Sequence, residues 1–212
     1  ARWLPQAFYY FYAFKKLKRR NMVFSVPSGN FGNICAGLIA MKLGLPIDHF
    51  IASTNINDTI PRYFESQVLN PKPTIQTISN AMDVSRPSNF VRIQEMFENF
   101  ENLSKFLSSY SFDDNQTLET VKKIYNDKKY ILDPHGAIGY LGLKKYLDNN
   151  PKKIGVFLET AHPIKFSEHI EKTIRIKLDI PKKINKILSK KKKYIDIKNY
   201  NDFKKEILSL KI

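Results

Sequence analysis

The stretch Ser28-Gly29-Asn30-Phe31-Gly32-Asn33 has the residue types and spacing to hold an anion. A short apolar run, Met22-Val23-Phe24, leads into it, and a helical pattern leaves it, with Ile34, Leu38, Met41 and Leu45 recurring on one face. Strand, glycine-bearing loop and helix start together make a recipe for binding a phosphate. Glycine lets the backbone come close and take φ > 0. The unpaired amides of the first helical turn, with the positive end of the helix dipole, then face the anion. An ordinary strand-to-helix turn uses glycines for geometry alone, and the spacing by itself serves both readings equally. Nucleotide-binding forms are disfavoured, because the loop has neither a G-x-G-x-x-G pattern nor the Gly-Lys-Ser/Thr of a P-loop.

The elements around the loop define the class. Residues 3–18 read as a helix, 22–26 as a buried strand, 31–43 as a helix closed by Gly44, and 47–52 as a second strand. Strand, helix, strand is a parallel crossover unit, so the class is α/β. Asn57 or Asp58 can cap a short helix to residue 66. Residues 69–89 are rich in Pro, Ser, Thr and Asn, and a loop of that length is functional or disordered. The pattern then predicts one helix over 90–107 and another over 113–125 with Asp113 or Asp114 as its cap. Asp133-Pro134-His135-Gly136 opens a helix to about residue 146. A third, wholly apolar strand is expected at 154–158, a helix at 165–174, and a terminal amphipathic helix at 202–210. Composition divides the chain into 1–180 and a lysine-rich 181–212. In an open parallel sheet, ligands sit beyond the C-terminal strand ends. Ser28-Gly29-Asn30 and Glu159-Thr160 are polar at two such ends, and the loop 79–85 can join them. One cleft with an anion on one wall is therefore expected.

Composition narrows the function. The chain has 212 residues and is 42% hydrophobic, enough for a true core. Its net charge of +15 invites a nucleic-acid reading. The residue menu is also rich in Lys, Asn, Ile, Tyr and Phe, all written with A/T-rich codons, and such a bias inflates lysine on every solvated face. No nucleic-acid module accompanies the charge, so no specific nucleic-acid partner is expected. The single cysteine, Cys35, rules out an intrachain disulfide and suits a reducing compartment. No apolar run is long enough to span a bilayer. The aromatic opening, Ala7 to Tyr12, is short, is followed by lysines and arginines, and reads as a buried or half-buried helix.

Five segments together resemble threonine synthase of the bacterial and fungal type. They are Val26-Pro27-Ser28-Gly29-Asn30-Phe31-Gly32-Asn33, Thr54-Asn55-Ile56-Asn57-Asp58-Thr59-Ile60-Pro61-Arg62, Ser79-Asn80-Ala81-Met82-Asp83-Val84-Ser85-Arg86-Pro87-Ser88-Asn89, Asp133-Pro134-His135 and Thr160-Ala161-His162-Pro163-Ile164-Lys165-Phe166. They run in the family's order and cover most of the chain to about Pro181. The resemblance implies the tryptophan-synthase β-like parallel sheet of fold type II pyridoxal-phosphate enzymes. It also implies a cytoplasmic lyase of threonine biosynthesis, which converts O-phosphohomoserine and water to threonine and phosphate. By the same resemblance Gly29, Asn30, Phe31 and Gly32 cradle the phosphate of pyridoxal 5′-phosphate, with Ser28 and Asn33 as further hydrogen-bonding candidates. Thr160 is implied as the hydroxyl partner of the pyridine nitrogen. Taken alone, Thr160 equally reads as a helix cap.

Other residues stay uncommitted. Arg62, Arg86 and Arg92 suit an anion but also suit a surface. His135 and His162 read as satisfied structural histidines, Asp83 and Asn80 as loop-ordering residues, and Cys35 as core. No metal site is expected and no catalytic residue is assigned, because the family's cofactor-bonding lysine lies in a Ser-Phe-Lys-Asp-like motif that these residues lack. The chain is expected to be a C-terminal fragment, inactive by itself. Two departures stand out: Glu159 where the family has glycine, and Gly136 where it has threonine or alanine. The Glu159 carboxylate either lies near the ring, where it would repel substrate, or points away. The rival readings are another enzyme of the same fold, such as a serine/threonine dehydratase, and a basic, non-catalytic nucleic-acid-binding relic.

Overall fold

Four parallel strands build the sheet: β1 (Met22–Pro27), β2 (Ile47–Thr54), β3 (Leu107–Ser111) and β4 (Ile154–Phe157), in the order β3-β2-β1-β4. The computed structural model describes residues 3–210 and divides into two compact units, one ending at Leu178 and one beginning at Asp179. All six residues of β1 are buried, as a central parallel strand covered on both faces requires. Phe24 pairs with Phe50 and Val23 with His49, so successive side chains feed opposite faces. On one face Phe24 and Phe50 meet the fully buried Tyr10 edge-to-face, at centroid distances of 5.2 and 5.6 Å. Tyr10 belongs to α1 (Trp3–Leu17), which packs with α2 (Gly32–Lys42). Only one side of α1 is buried; Phe8, Tyr9 and Tyr12 remain exposed. α2 stops at Leu43, and Gly44 at φ +99° supplies the left-handed turn its sequence position suggested.

Four further helices follow β2. They are α3 (Thr59–Ser66), α4 (Phe90–Phe97), α5 (Phe100–Ser104) and, beyond β3, α6 (Asp114–Lys128). Asp113 caps α6 in a reciprocal capping box with Gln116. The single helix expected over 90–107 is not formed. Glu98 takes φ 67°, Asn99 turns extended, and its side chain accepts from the amide of Asn102 to start α5. The chain then enters β3, a strand absent from the sequence pattern. Leu107-Ser108-Ser109-Tyr110-Ser111 has no β-branched residue, and its pairing is fixed by contacts made across the sheet. Ser109 Oγ donates to Ala52 O at 2.9 Å. His49 bridges Lys105 O and Ser108 Oγ at 3.2 and 3.1 Å. Burial, chiefly, pushes the His49 pKa down to about 4, so the ring is neutral at physiological pH and can donate to one and accept from the other.

α7 (Pro134–Asn149) covers the other face of the sheet through Leu143, Val23 and Ile51. Ser25 Oγ donates to Gly139 O at 2.6 Å and lies 2.8 Å from Ser53 Oγ. The single Ser25 proton is thus committed, and Ser53 is the donor between the two hydroxyls. Gly142 makes the close approach possible, because a Cβ there would overlap Ser53 Oγ. α8 (Ser167–Ile174) packs on α6 and closes a satellite core with Val121, Leu132 and Phe166. The second unit holds α9 (Lys182–Leu188) and α10 (Tyr200–Ser209), the latter capped by the Asn199 side chain and starting two residues before the expected position. No described helix is long and apolar enough to cross a membrane. Gly142→Ala is expected to cost about 1–3 kcal/mol in urea denaturation, through overpacking of α7 on β2.

Candidate functional site

β1 ends at Pro27, and the next residues turn the chain into α2. The positive φ of this turn falls on Phe31 (φ 62°, ψ 12°), whereas the sequence pointed to a glycine. A left-handed non-glycine residue costs about 1–2 kcal/mol. The Phe31 ring is buried edge-to-face against Phe90, centroids 5.7 Å apart, and burying a phenylalanine returns about 1.5–3 kcal/mol. Burial therefore outweighs the strain. Gly29 supplies space: a Cβ there would lie 2.8 Å from Met82 Cα and 2.9 Å from Ala81 O, both backbone atoms.

The polar side chains of the turn mostly bind the turn itself. Asn33 Nδ2 donates to Pro27 O at 2.8 Å and its Oδ1 accepts from the Ile34 amide at 2.9 Å. Ser28 Oγ donates to Val26 O at 2.8 Å. Tyr10 OH donates to Asn33 O at 2.8 Å and ties the turn to α1. By contrast, the amides of residues 29–33 donate to no acceptor among the described residues. α2 has no acidic residue in its first turn and no side-chain cap. Bare amides at the positive end of an eleven-residue helix, preceded by a left-handed residue, form a concavity suited to an anion.

The loop over 67–89 hangs from this cradle. Asn30 Oδ1 accepts from the Ser88 amide at 2.6 Å and from Ser88 Oγ at 3.0 Å, while Asn89 Nδ2 donates to Asn30 O at 2.8 Å. Further along, Asp83 orders the loop from inside. It accepts from Asn55 Nδ2 at 2.9 Å, Thr77 Oγ1 at 2.7 Å and the Thr77 amide at 3.1 Å. The cradle and the loop then border a cleft of about 800 Å³, whose lining includes Gly29, Asn30, Phe31, Gly32, Arg92 and Thr160. The structure thus brings together all five residues singled out from the sequence.

The remaining candidates separate. Arg92 lines the cleft, donates to Ser88 O at 3.0 Å and lies over the Trp3 ring at 5.4 Å. Arg62 is paired with Asp58 at 2.8 Å on α3, and Arg86 borders a different, smaller depression. His162 caps the short 3₁₀ turn Pro163–Phe166 by accepting from the Ile164 amide. Cys35 is buried, and burial raises its thiol to about 12, so it is core. Among the described residues no cluster of His, Cys, Asp and Glu could hold a metal.

One cluster was not recognised as such in the sequence. Asp133 caps α7, with Pro134 at its first position, and Asp133 Oδ1 takes both the His135 amide and His135 Nδ1 at 2.8 Å. The Glu159 carboxyl lies over Gly136, against Asp133. Burial first, then the contact with Asp133, raises the Glu159 pKa to about 9. Burial pushes Asp133 upward, but hydrogen bonds from His135 and Glu159 outweigh it, and its carboxyl sits below its usual range. The Asp133-Pro134 pair was legible as a helix start; its partnership with Glu159 had no signal along the chain.

The sheet superposes on maize serine racemase with a TM-score of 0.55, over 79% of this chain and 52% of that one, at 12% identity, a likeness of fold alone. Fold and cleft together define the class of the fold type II pyridoxal-phosphate enzymes, which bears out the expected tryptophan-synthase β-like sheet. The likeness to PLP-bound threonine synthase from Brucella melitensis is much closer, with a TM-score of 0.90 and 28% identity, over 98% of this chain and 50% of that one. Threonine synthase of Haemophilus influenzae is 50% identical over 190 residues, which are 88% of this chain and 44% of that protein. The sequence profile described as threonine synthase, C-terminal, matches residues 136–207. Along most of its length the chain is similar to threonine synthases, and it spans less than half the length of the curated relatives it matches. Within this site, Asn30→Ala is expected to release Ser88 and Asn89, to cost about 1 kcal/mol of stability, and to speed amide exchange at Ser88.

Proposed function

We propose that the cleft binds pyridoxal 5′-phosphate and that this chain supplies the C-terminal share of a threonine synthase, which converts O-phosphohomoserine and water to threonine and phosphate. The observation that carries the proposal is the run of unpaired amides over residues 29–33, at the start of a helix that has no acid in its first turn. The amides of Gly29, Asn30, Phe31 and Gly32 are assigned to the cofactor phosphate. Nothing but backbone is needed there, which suits a glycine-bearing turn. Thr160, on the same cleft, is assigned to the pyridine nitrogen, where a hydroxyl donates to a neutral ring and an aspartate would hold it protonated. Pyridoxal phosphate supplies the electron sink when bound.

Arg92 is the arginine on the cleft, and its guanidinium suits the carboxylate or phosphate of the substrate. No lysine of this chain is assigned to the covalent bond with the cofactor. A cytoplasmic setting follows from the proposed reaction, and the lone Cys35 agrees with it. The described lysines over 182–205 are exposed.

Trp3 is the single tryptophan and lines the cleft, so its emission reports on occupancy. Titration with pyridoxal phosphate is expected to quench Trp3 saturably, with inorganic phosphate competing. Gly32→Asp, which sets a carboxylate beside the bare amides, is expected to weaken binding at least tenfold. Absence of saturable quenching in the unaltered chain rules out the cofactor assignment. For the reaction, this chain is to replace the matching part of the Haemophilus influenzae enzyme. The chimera is expected to release phosphate from O-phosphohomoserine. A folded, cofactor-loaded chimera that releases none overturns the proposed activity.

A further inference from the structure

We propose that Glu159 and Asp133 share one proton across the gap left by Gly136, and that this pair is a positioning device that seats Thr160 in the cleft. The role of Thr160 rests on the proposed cofactor site; the pair itself does not.

Space comes first. A Cβ on Gly136 would overlap the carboxyl carbon and both carboxyl oxygens of Glu159. Any other residue at 136 would fill the volume that this carboxyl occupies. Glycine inside a helix costs up to about 1 kcal/mol relative to alanine, a cost α7 carries in its first turn. Residue 136 on the helix and residue 159 beyond the strand therefore compete for one volume.

Hydrogen-bond accounting comes second. Asp133 is fully buried, and its Oδ1 takes both His135 donors. Its Oδ2 is buried and has no donor other than what Glu159 can offer. Two ionised carboxylates in contact repel, so the contact holds only if one is protonated. The neutral partner is Glu159, since both His135 donors stabilise charge on Asp133. The other titratable groups near Glu159 are Tyr130, in the loop before α7, and Tyr9 and Tyr12 of α1, which line an adjoining pocket with it. Tyr130 is itself raised, by burial and then by Glu159 and Asp133.

Anchoring comes third. The last backbone bond holding β4 to the sheet runs from the Leu158 amide to Ser25 O at 3.0 Å. Among the described residues no backbone hydrogen bond involves 159–161. Ala161 packs on the satellite core, and the carboxyl of Glu159 adds the polar tie from this segment, and with it Thr160, to the start of α7.

The test uses the full chain. The folded state keeps on Glu159 a proton that the unfolded chain releases above about pH 4.5. Folding must then take up a proton between about pH 4.5 and 9, so the pair's contribution to stability falls as pH rises through that window. Glu159→Gln donates without titrating. Its Tm is expected to gain on the unaltered chain as pH rises from 5 to 9, by roughly 3 °C or more. Parallel curves overturn proton sharing. Gly136→Ala is expected to lower Tm, and adding Glu159→Gly to restore it. Failure of that rescue overturns the competition for this volume. The ¹⁵N order parameter of Thr160 is expected to fall in Glu159→Ala and to hold in Glu159→Gln. An unchanged value in Glu159→Ala overturns the positioning role. All three readouts are independent of pyridoxal phosphate, so a failed cofactor titration leaves them decisive.

Discussion

Burial of the Phe31 ring holds the turn on which the whole cleft depends. It stabilises a backbone conformation that a phenylalanine would otherwise avoid, and that conformation turns the chain from β1 into α2 with five amides bare. The neighbouring contacts follow from it. Asn30 can reach Ser88 only from this turn, and Met82 can sit against Gly29 only because residue 29 has no side chain. Tyr10 joins the same turn to the aromatic layer beneath the sheet through its bond to Asn33. A hydrophobic contact thus fixes the geometry of a polar site, as expected where the site's own groups are left unpaired for a ligand.

The opposite face solves a different problem. α7 must come close enough to the sheet for Asp133 and His135 to reach the region of the strand ends. Gly142 and the hydroxyls of Ser25 and Ser53 make that approach, with a short, hydrogen-bonded contact where a branched side chain would hold the layers apart. At the other end of the helix, Asn150 and the turn to β4 return the chain to the edge of the sheet. Both cleft walls are therefore set by helices whose distance from the sheet depends on small residues.

Much of this was legible in the sequence, for identifiable reasons. The succession 22–27, 32–42 and 47–54 switches cleanly between strand-like and helical periodicity, and Gly44 marks the boundary. The cradle was legible because glycines, a strand end and a helix start fall together. β3 was not, because a Leu-Ser-Ser-Tyr-Ser segment becomes a strand only through partners such as Ala52 O and His49. The left-handed residue was misplaced onto a glycine because sequence reasoning knows the cost of φ > 0 at Phe31 but not the burial that offsets it. Glu159 and Gly136 each read as an isolated oddity. Their relation lies in a volume that two distant segments contest, and no local pattern encodes that.

The register of the sheet also carries a kinetic consequence. Phe24 pairs with Phe50 on one side and with Val156 on the other. The second closure spans a loop roughly five times longer, which costs about 1.4 kcal/mol more in chain entropy. Contacts between distant segments form late. The strand–helix–strand unit that bears the bare amides of residues 29–33 is accordingly expected to fold early in the sheet, and β4, with Glu159 and Thr160 behind it, to arrive afterwards. The cleft is assembled from one wall to the other: the wall with the bare amides forms before the segment that bears Thr160 docks against it.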